Sequence, residues 1–215
     1  EIHKYMADKL GLVVGSEWGA GYGVAHTEFM HGVVTMSNFW GRDMFNPNSP
    51  YFTGTWRDTV RPQIMLGDTK ASPTYWKYGL GPEYRIPLYE LVFHDCTVAS
   101  WRWDDNSLKQ TEAWARKDLF TALYAVAPQW NLDRALWEKH RDRFVASYRA
   151  LAPVLRVVGY DEMTDHRFLN ADRTLQESTF SSGRSVVANF ASKAQTAGGR
   201  EIPAGGFVLV APSAP

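Results

Sequence analysis

The sequence predicts an α/β unit of barrel type over residues 1–155, followed by an all-β unit over 156–215. Three observations carry this. Short apolar runs ending in carboxylates alternate with helical stretches through the first part. After Pro153 the character changes to short strand-like runs separated by Gly, Ser, Asn and Asp. Only about three strand–helix units fit before that point, whereas a whole (β/α)8 barrel takes about 250 residues. The first part therefore reads as the C-terminal portion of a barrel whose earlier strands lie upstream. The chain opens on Glu1 with neither Met nor a basic-plus-apolar leader, as expected of a processed chain or a fragment.

Residues 1–9 read as the end of a helix that exits at Leu10-Gly11. LGLVVGSE, 10–17, reads as a strand buried on both faces, which places Glu17 just past its carboxyl end. Residues 37–85 form a long aromatic-rich loop, far longer than an ordinary connection. IPLYELVFHD, 86–95, reads as the second strand, ending in His94 and Asp95. Residues 107–126 read as a helix capped by Asn106 or Ser107, APQWN as a short strand or turn, and 132–151 as a second helix. In the last part LRVVGY, 155–160, reads as β. TLQESTF and SVVANF around SSGR read as a hairpin, and GGFVLVA as a further strand.

Among the 215 residues, 23 Lys+Arg balance 23 Asp+Glu, a neutral chain that lacks the electrostatic footprint of a nucleic-acid or anionic-membrane binder. No apolar run approaches the roughly 20 residues that cross a bilayer. Cys96 is the single cysteine, which excludes an internal disulfide and a Cys-rich zinc site. Nine Trp, ten Tyr and eleven Phe are numerous, and many stand beside Gly, Pro, Asn or Asp, where aromatic rings serve as ligand platforms or as cores of large loops.

Glu17 is the leading chemical candidate. The carboxyl end of a barrel strand is where such folds place their active sites. Beside Trp18 in a Gly-rich turn, partial desolvation would suit a carboxyl to general-acid work. The ordinary alternative is a capping or ion-paired Glu. His94 and Asp95 at the second strand's end point to opposite faces, and the carboxylate there would bind sugar hydroxyls, act as a second catalytic group, hold His94 or anchor a loop. WRWDDN, 101–106, mixes indoles with carboxylates, the combination that sugar rings and hydroxyls favour; Trp101, Trp103 and Asp104 are its candidates. No GxSxG elbow, Walker A loop, GxGxxG after a strand or HExxH is present. Loop Asp and Asn residues would suit calcium, yet no EF-hand spacing accompanies them, and no cofactor is expected.

LGLVVGSEWGAGYGVAHTEFMHG, IPLYELVFHDC and WRWDDN together resemble the later barrel segments of glycoside hydrolases related to families 101 and 129. FLNADRTLQESTFSSGRSVVANF with IPAGGFVLV is similar to the β-sandwich that follows many glycosidase barrels. The resemblance implies a (β/α)8 barrel segment plus a small antiparallel β-sandwich. It also implies a retaining α-glycosidase acting on α-linked N-acetylgalactosamine of glycans, with Glu17 as acid/base. Trp18, Trp101 and Trp103 would then be walls, and Asp95 and Asp104 would hold hydroxyls. Retention needs a second carboxyl about 5–5.5 Å away. The family's nucleophile is an Asp on an earlier strand, and no position of this chain matches it, so an upstream segment or a partner chain is expected to complete the site. A glycan-degrading enzyme of this kind is often exported, which favours a secreted or periplasmic setting. Two rivals stand beside it: a non-catalytic carbohydrate-binding protein, and a metal-dependent hydrolase drawing on His26, Glu28, His31 or His94.

Overall fold

The computed structural model describes residues 1–17, 21–34, 75–101, 111–130, 132 and 134–212. Helix α1, Ile2–Leu10, ends as the sequence predicts. Gly11 takes a left-handed φ of 62°, and its N–H and that of Leu12 return to the carbonyls of Ala7 and Met6. The apolar run that follows is less sheet-like than expected. Strand β1 is only Gly15–Glu17, and Leu10, Leu12 and Val13 are exposed while Val14 is buried. β1 lies parallel to β2, Phe29–His31, and β2 lies parallel to β3, Val98–Ser100. A parallel bridge from Ser100 to Ala127 extends the same sheet, so APQWN contributes a strand-like contact beside β3.

The second expected strand is a helix. LYELVF forms α2, Leu88–Phe93, and the strand comes later, at Val98–Ser100. A six-residue apolar run carries too little periodicity to separate the two conformations. Here Pro87 precedes the first turn, and the helix buries Glu90 while exposing Leu88 and Val92, the reverse of a usual amphipathic pattern. His94 and Asp95 consequently follow a helix and stand four and three residues before β3, at its amino end.

Helix α3, Trp114–Leu123, follows a 3-10 turn at Thr111–Ala113; the predicted cap at Asn106 or Ser107 and most of the loop 37–85 lie outside the described residues. Helix α4, Arg134–Val158, runs through Pro153 and takes up most of LRVVGY, which was expected as β. Burial of Leu151, Val154 and Val158 against the core outweighs the one lost backbone bond. The expected division at 155/156 thus falls inside a helix. Arg143 and Ser147 of α4 both grip the Asp118 carboxylate of α3, at 2.7 and 2.8 Å.

The β-rich part holds β4, Met163–Phe168; β5, Leu175–Phe180; β6, Ser185–Asn189; and β9, Phe207–Val210, in one antiparallel sheet of order β4-β5-β6-β9. The SSGR hairpin forms as read, with Gly183 at φ 76°. A two-stranded ribbon of β7, Gln195–Ala197, and β8, Arg200–Ile202, brings Ile202 onto Leu175 and Val187 on one face. The other face carries Phe180, Val186 and Ala188 against the helices, where Phe120 of α3 meets Phe190 at 4.6 Å between ring centres.

Two contacts couple this sheet to the segment before α2. Buried Gln176 donates to the Pro82 carbonyl at 2.8 Å, and Arg173 donates to the Glu83 carbonyl at 3.0 Å. Gly81 is obligatory beside them, since a Cβ there would sit 2.0 Å from the Lys77 carbonyl oxygen. From the segment so held, Arg85 enters the core. Its guanidinium donates to the carbonyls of Gly79 and Val34 and lies over the rings of Trp101, Phe120 and Tyr124 at 5.0, 4.8 and 5.8 Å.

Burial tunes two groups of this core. Desolvation raises the Glu90 carboxyl to about 7, against a lowering by its own backbone N–H and by Arg85. Desolvation lowers His166 to about 4; its Nδ1 pairs with Ser178 Oγ at 3.0 Å. Phe120→Ala should cost about 3–5 kcal/mol in chemical denaturation, because the ring joins Arg85, Tyr124 and Phe190. Glu90 has a folded value above its unfolded one, so its contribution is intact below about pH 4.5 and is lost as pH rises through about 7. Glu90→Gln should therefore flatten the decline between pH 5 and 8, a change of order 1–3 kcal/mol by denaturation at the two pH values. His166 acts in the opposite sense. Its folded value is depressed, so its contribution is present above about pH 6.5 and fades as pH falls through about 4, and His166→Gln should lessen acid sensitivity in thermal melts.

Candidate active site

The parallel sheet has one buried and one open face. Met30 and Ala99, 1% and 6% exposed, point into the core, whereas Gly15 and Glu17 are exposed and Phe29, His31 and Val98 half-buried. Side chains alternate along a strand, and residues in register project to the same side. The register pairs Glu17 with His31 and His31 with Ser100, so these three form the last rung at the carboxyl end of the sheet, with Glu17 exposed, His31 half-buried and Ser100 buried. His31 Nδ1 lies 3.1 Å from Ser100 Oγ, and the Ser100 hydroxyl donates to the Trp101 carbonyl at 3.1 Å. Glu17 thus stands at the strand end that the sequence predicted. Its side chain is exposed, and Trp18, expected beside it, lies outside the described residues.

Trp101 follows this rung but presents no open ring face. It is 1% exposed, donates from Nε1 to Thr121 Oγ1 at 2.9 Å, and is covered by Arg85 on one approach and by Lys117 Nζ at 4.5 Å. The wall expected of it is, among the described residues, a packed core element that fixes the strand end. Trp103 and Asp104 lie outside the described residues.

His94 and Asp95 stand at the opposite, amino end of the sheet from Glu17, because they precede β3. His94 is buried, with Asp161 O 2.5 Å from Nδ1 and Ala125 O 3.2 Å from Nε2, and its ring packs on Phe180 at 5.4 Å. Those contacts anchor the β-rich part to the α/β part. Asp95 is exposed and accepts from Cys96 Sγ at 3.3 Å. Helix formation over 88–93 separated both residues from the strand end assigned to them.

The rival metal set does not assemble. Glu28 precedes β2 and accepts from Val14 N–H at 2.6 Å, while His31 closes the same strand, about 10 Å further along at strand rise. Among the described residues, no three His, Cys, Asp or Glu side chains gather as a metal site would require. Three residues at or behind the last rung, Ser100, Arg85 and Lys117, were not singled out by the sequence. Ser100 was hidden because the strand was placed at 86–95 rather than at Val98–Ser100, and Arg85 because a lone Arg in an irregular stretch carries no local signal.

No curated protein sequence matches the chain. Solved structures do: the ligand-free α-N-acetylgalactosaminidase NagBb from Bifidobacterium bifidum shares 20% identity at a TM-score of 0.52, over 87% of this chain and 23% of that one. The GalNAc complex of the same enzyme matches at 20% identity and a TM-score of 0.50, over 94% and 26%. The chain spans about a quarter of those proteins, and at this identity the likeness is one of fold. The family model of glycosyl hydrolases related to the GH101 family, GH129, matches residues 2–179. The chain therefore belongs to that glycosyl hydrolase family.

Proposed function

We propose that this chain forms part of the catalytic unit of a retaining glycosidase for α-linked sugars such as N-acetylgalactosamine, with Glu17 as acid/base. The observation that carries the reading is the exposed carboxyl at the last rung of the open parallel face. The carboxyl end of the strands is where a (β/α)8 barrel collects its reacting groups, from the loops that follow. On this reading the three strands and the Ala127 bridge belong to a barrel, and the four-stranded sheet with its ribbon belongs to a small antiparallel β-sandwich domain.

Glu17 donates a proton to the departing glycosidic oxygen while a second carboxylate attacks the anomeric carbon. It then takes a proton from the water that releases the sugar. On this reading the nucleophile is a second carboxylate from another barrel segment, in the same polypeptide or in a partner chain. Trp18, Trp103 and Asp104 remain our choices for sugar contacts. Asp95 at the sheet's far end and the enclosed His94 and Trp101 are better suited to holding the scaffold.

Glu17→Gln should lower hydrolysis of an unactivated α-N-acetylgalactosaminide by about 10²–10⁴-fold, the usual span of a general acid/base. The loss should be smaller on an aryl glycoside with a good leaving group, and thermal stability should stay within about 0.5 kcal/mol. The assay uses a preparation that carries the remaining barrel segments. Equal turnover of wild type and variant sinks the assignment. Glycan binding without hydrolysis by either would favour the carbohydrate-binding alternative.

A further inference from the structure

We infer that His31 is the positioning residue for Glu17, with Ser100 setting the imidazole. The inference rests on the acid/base reading of Glu17 and names a partner for it. Glu17 and His31 occupy the same rung of neighbouring parallel strands. Adjacent strands run about 4.8 Å apart and project in-register side chains to one face. An imidazole and a carboxyl in that relation are within reach of each other.

Ser100 decides how the imidazole is presented. The Ser100 hydroxyl has one proton, and the Trp101 carbonyl and His31 Nδ1 both lie 3.1 Å from its oxygen. We assign that proton to the carbonyl, so the oxygen accepts at the His31 contact and Nδ1 is the protonated ring nitrogen. Nε2 is then the nitrogen that gains and loses a proton as pH changes. Trp101 is itself clamped by Thr121, Lys117 and Arg85. The ring orientation of His31 is thus referred through Ser100 to the rigid core behind the sheet. Phe29, 6.2 Å away on the same strand and face, stacks against the other side of the arrangement.

Charged groups near His31 can be named element by element. β1 supplies Glu17, and β3 over Val98–Ser100 supplies none. His26 closes the 3-10 helix Gly21–His26 on the amino side of β2. Arg85 reaches the turn after His31 through the Val34 carbonyl, and Lys117 reaches only the Trp101 ring. Glu28, just before β2, is bound to the Val14 N–H. Among the described groups Glu17 is the anion that shares the rung with His31, and an anion there favours the protonated imidazole. Such a partner suits a carboxyl that must donate a proton in one step and accept one in the next.

The test is NMR titration of the His31 imidazole in the full 215-residue chain and in two variants. In Glu17→Gln, an exposed and fold-neutral change, the His31 midpoint should fall by about half a pH unit or more, roughly a threefold loss of proton affinity. In Ser100→Ala the preference for the Nδ1–H tautomer should weaken. A midpoint that stays within about 0.1 unit in Glu17→Gln, or an unaltered tautomer ratio in Ser100→Ala, overturns the inference. These readings need no turnover and so stand apart from the glycosidase reading. In an active preparation, His31→Gln should displace the pH profile of kcat/KM while retaining a side chain that can bond Ser100. A profile superimposable on wild type, with Glu17→Gln inactive, rejects His31 and keeps Glu17.

Discussion

The guanidinium of Arg85 holds the carboxyl end of the sheet together. It bonds the Val34 carbonyl beyond β2 and the Gly79 carbonyl of the turn before it, and it lies over the Trp101 ring beyond β3. Three chain segments with no local reason to meet are joined by one planar, permanently charged group with donors at fixed angles. A lysine has the charge but neither the fork nor the flat face. Burying such a group is costly unless its donors are used. Here two backbone carbonyls and three aromatic rings share that task, and the Glu90 carboxyl stands close enough to feel the cation.

The support extends outward from Arg85 into the antiparallel sheet. Gln176 and Arg173 bond the carbonyls of Pro82 and Glu83, just before the arginine. His94 reaches the carbonyls of Asp161 and Ala125 from the other end of the parallel sheet. The β-rich part is therefore a buttress on both ends of the α/β part.

The sheet itself divides its labour by face. One face, with Met30 and Ala99, is packed like any core. The other face carries Glu17, His31 and Ser100 in one row, which runs from the exposed Glu17 to the buried Ser100. Alternation of side chains means that a register slip of one residue would send Glu17 into the core side. The contacts that fix the register, such as Val98 N–H to Glu28 O at 2.8 Å, therefore also fix the chemistry.

Local rules were enough for some of this molecule. The glycine exit of α1, the SSGR hairpin and the helices over 114–123 and 134–151 follow from cap, turn and stripe signals that act within a few residues. The position of Glu17 at a strand's carboxyl end was legible for the same reason. The tertiary structure decided what those rules leave open. LYELVF became a helix that buries Glu90, Pro153 stayed inside α4, and Trp101 was drawn into the core beneath Arg85 and Lys117. The row of Glu17, His31 and Ser100 joins residues up to 83 positions apart, and strand register, which depends on burial and long-range pairing, alone brings them side by side.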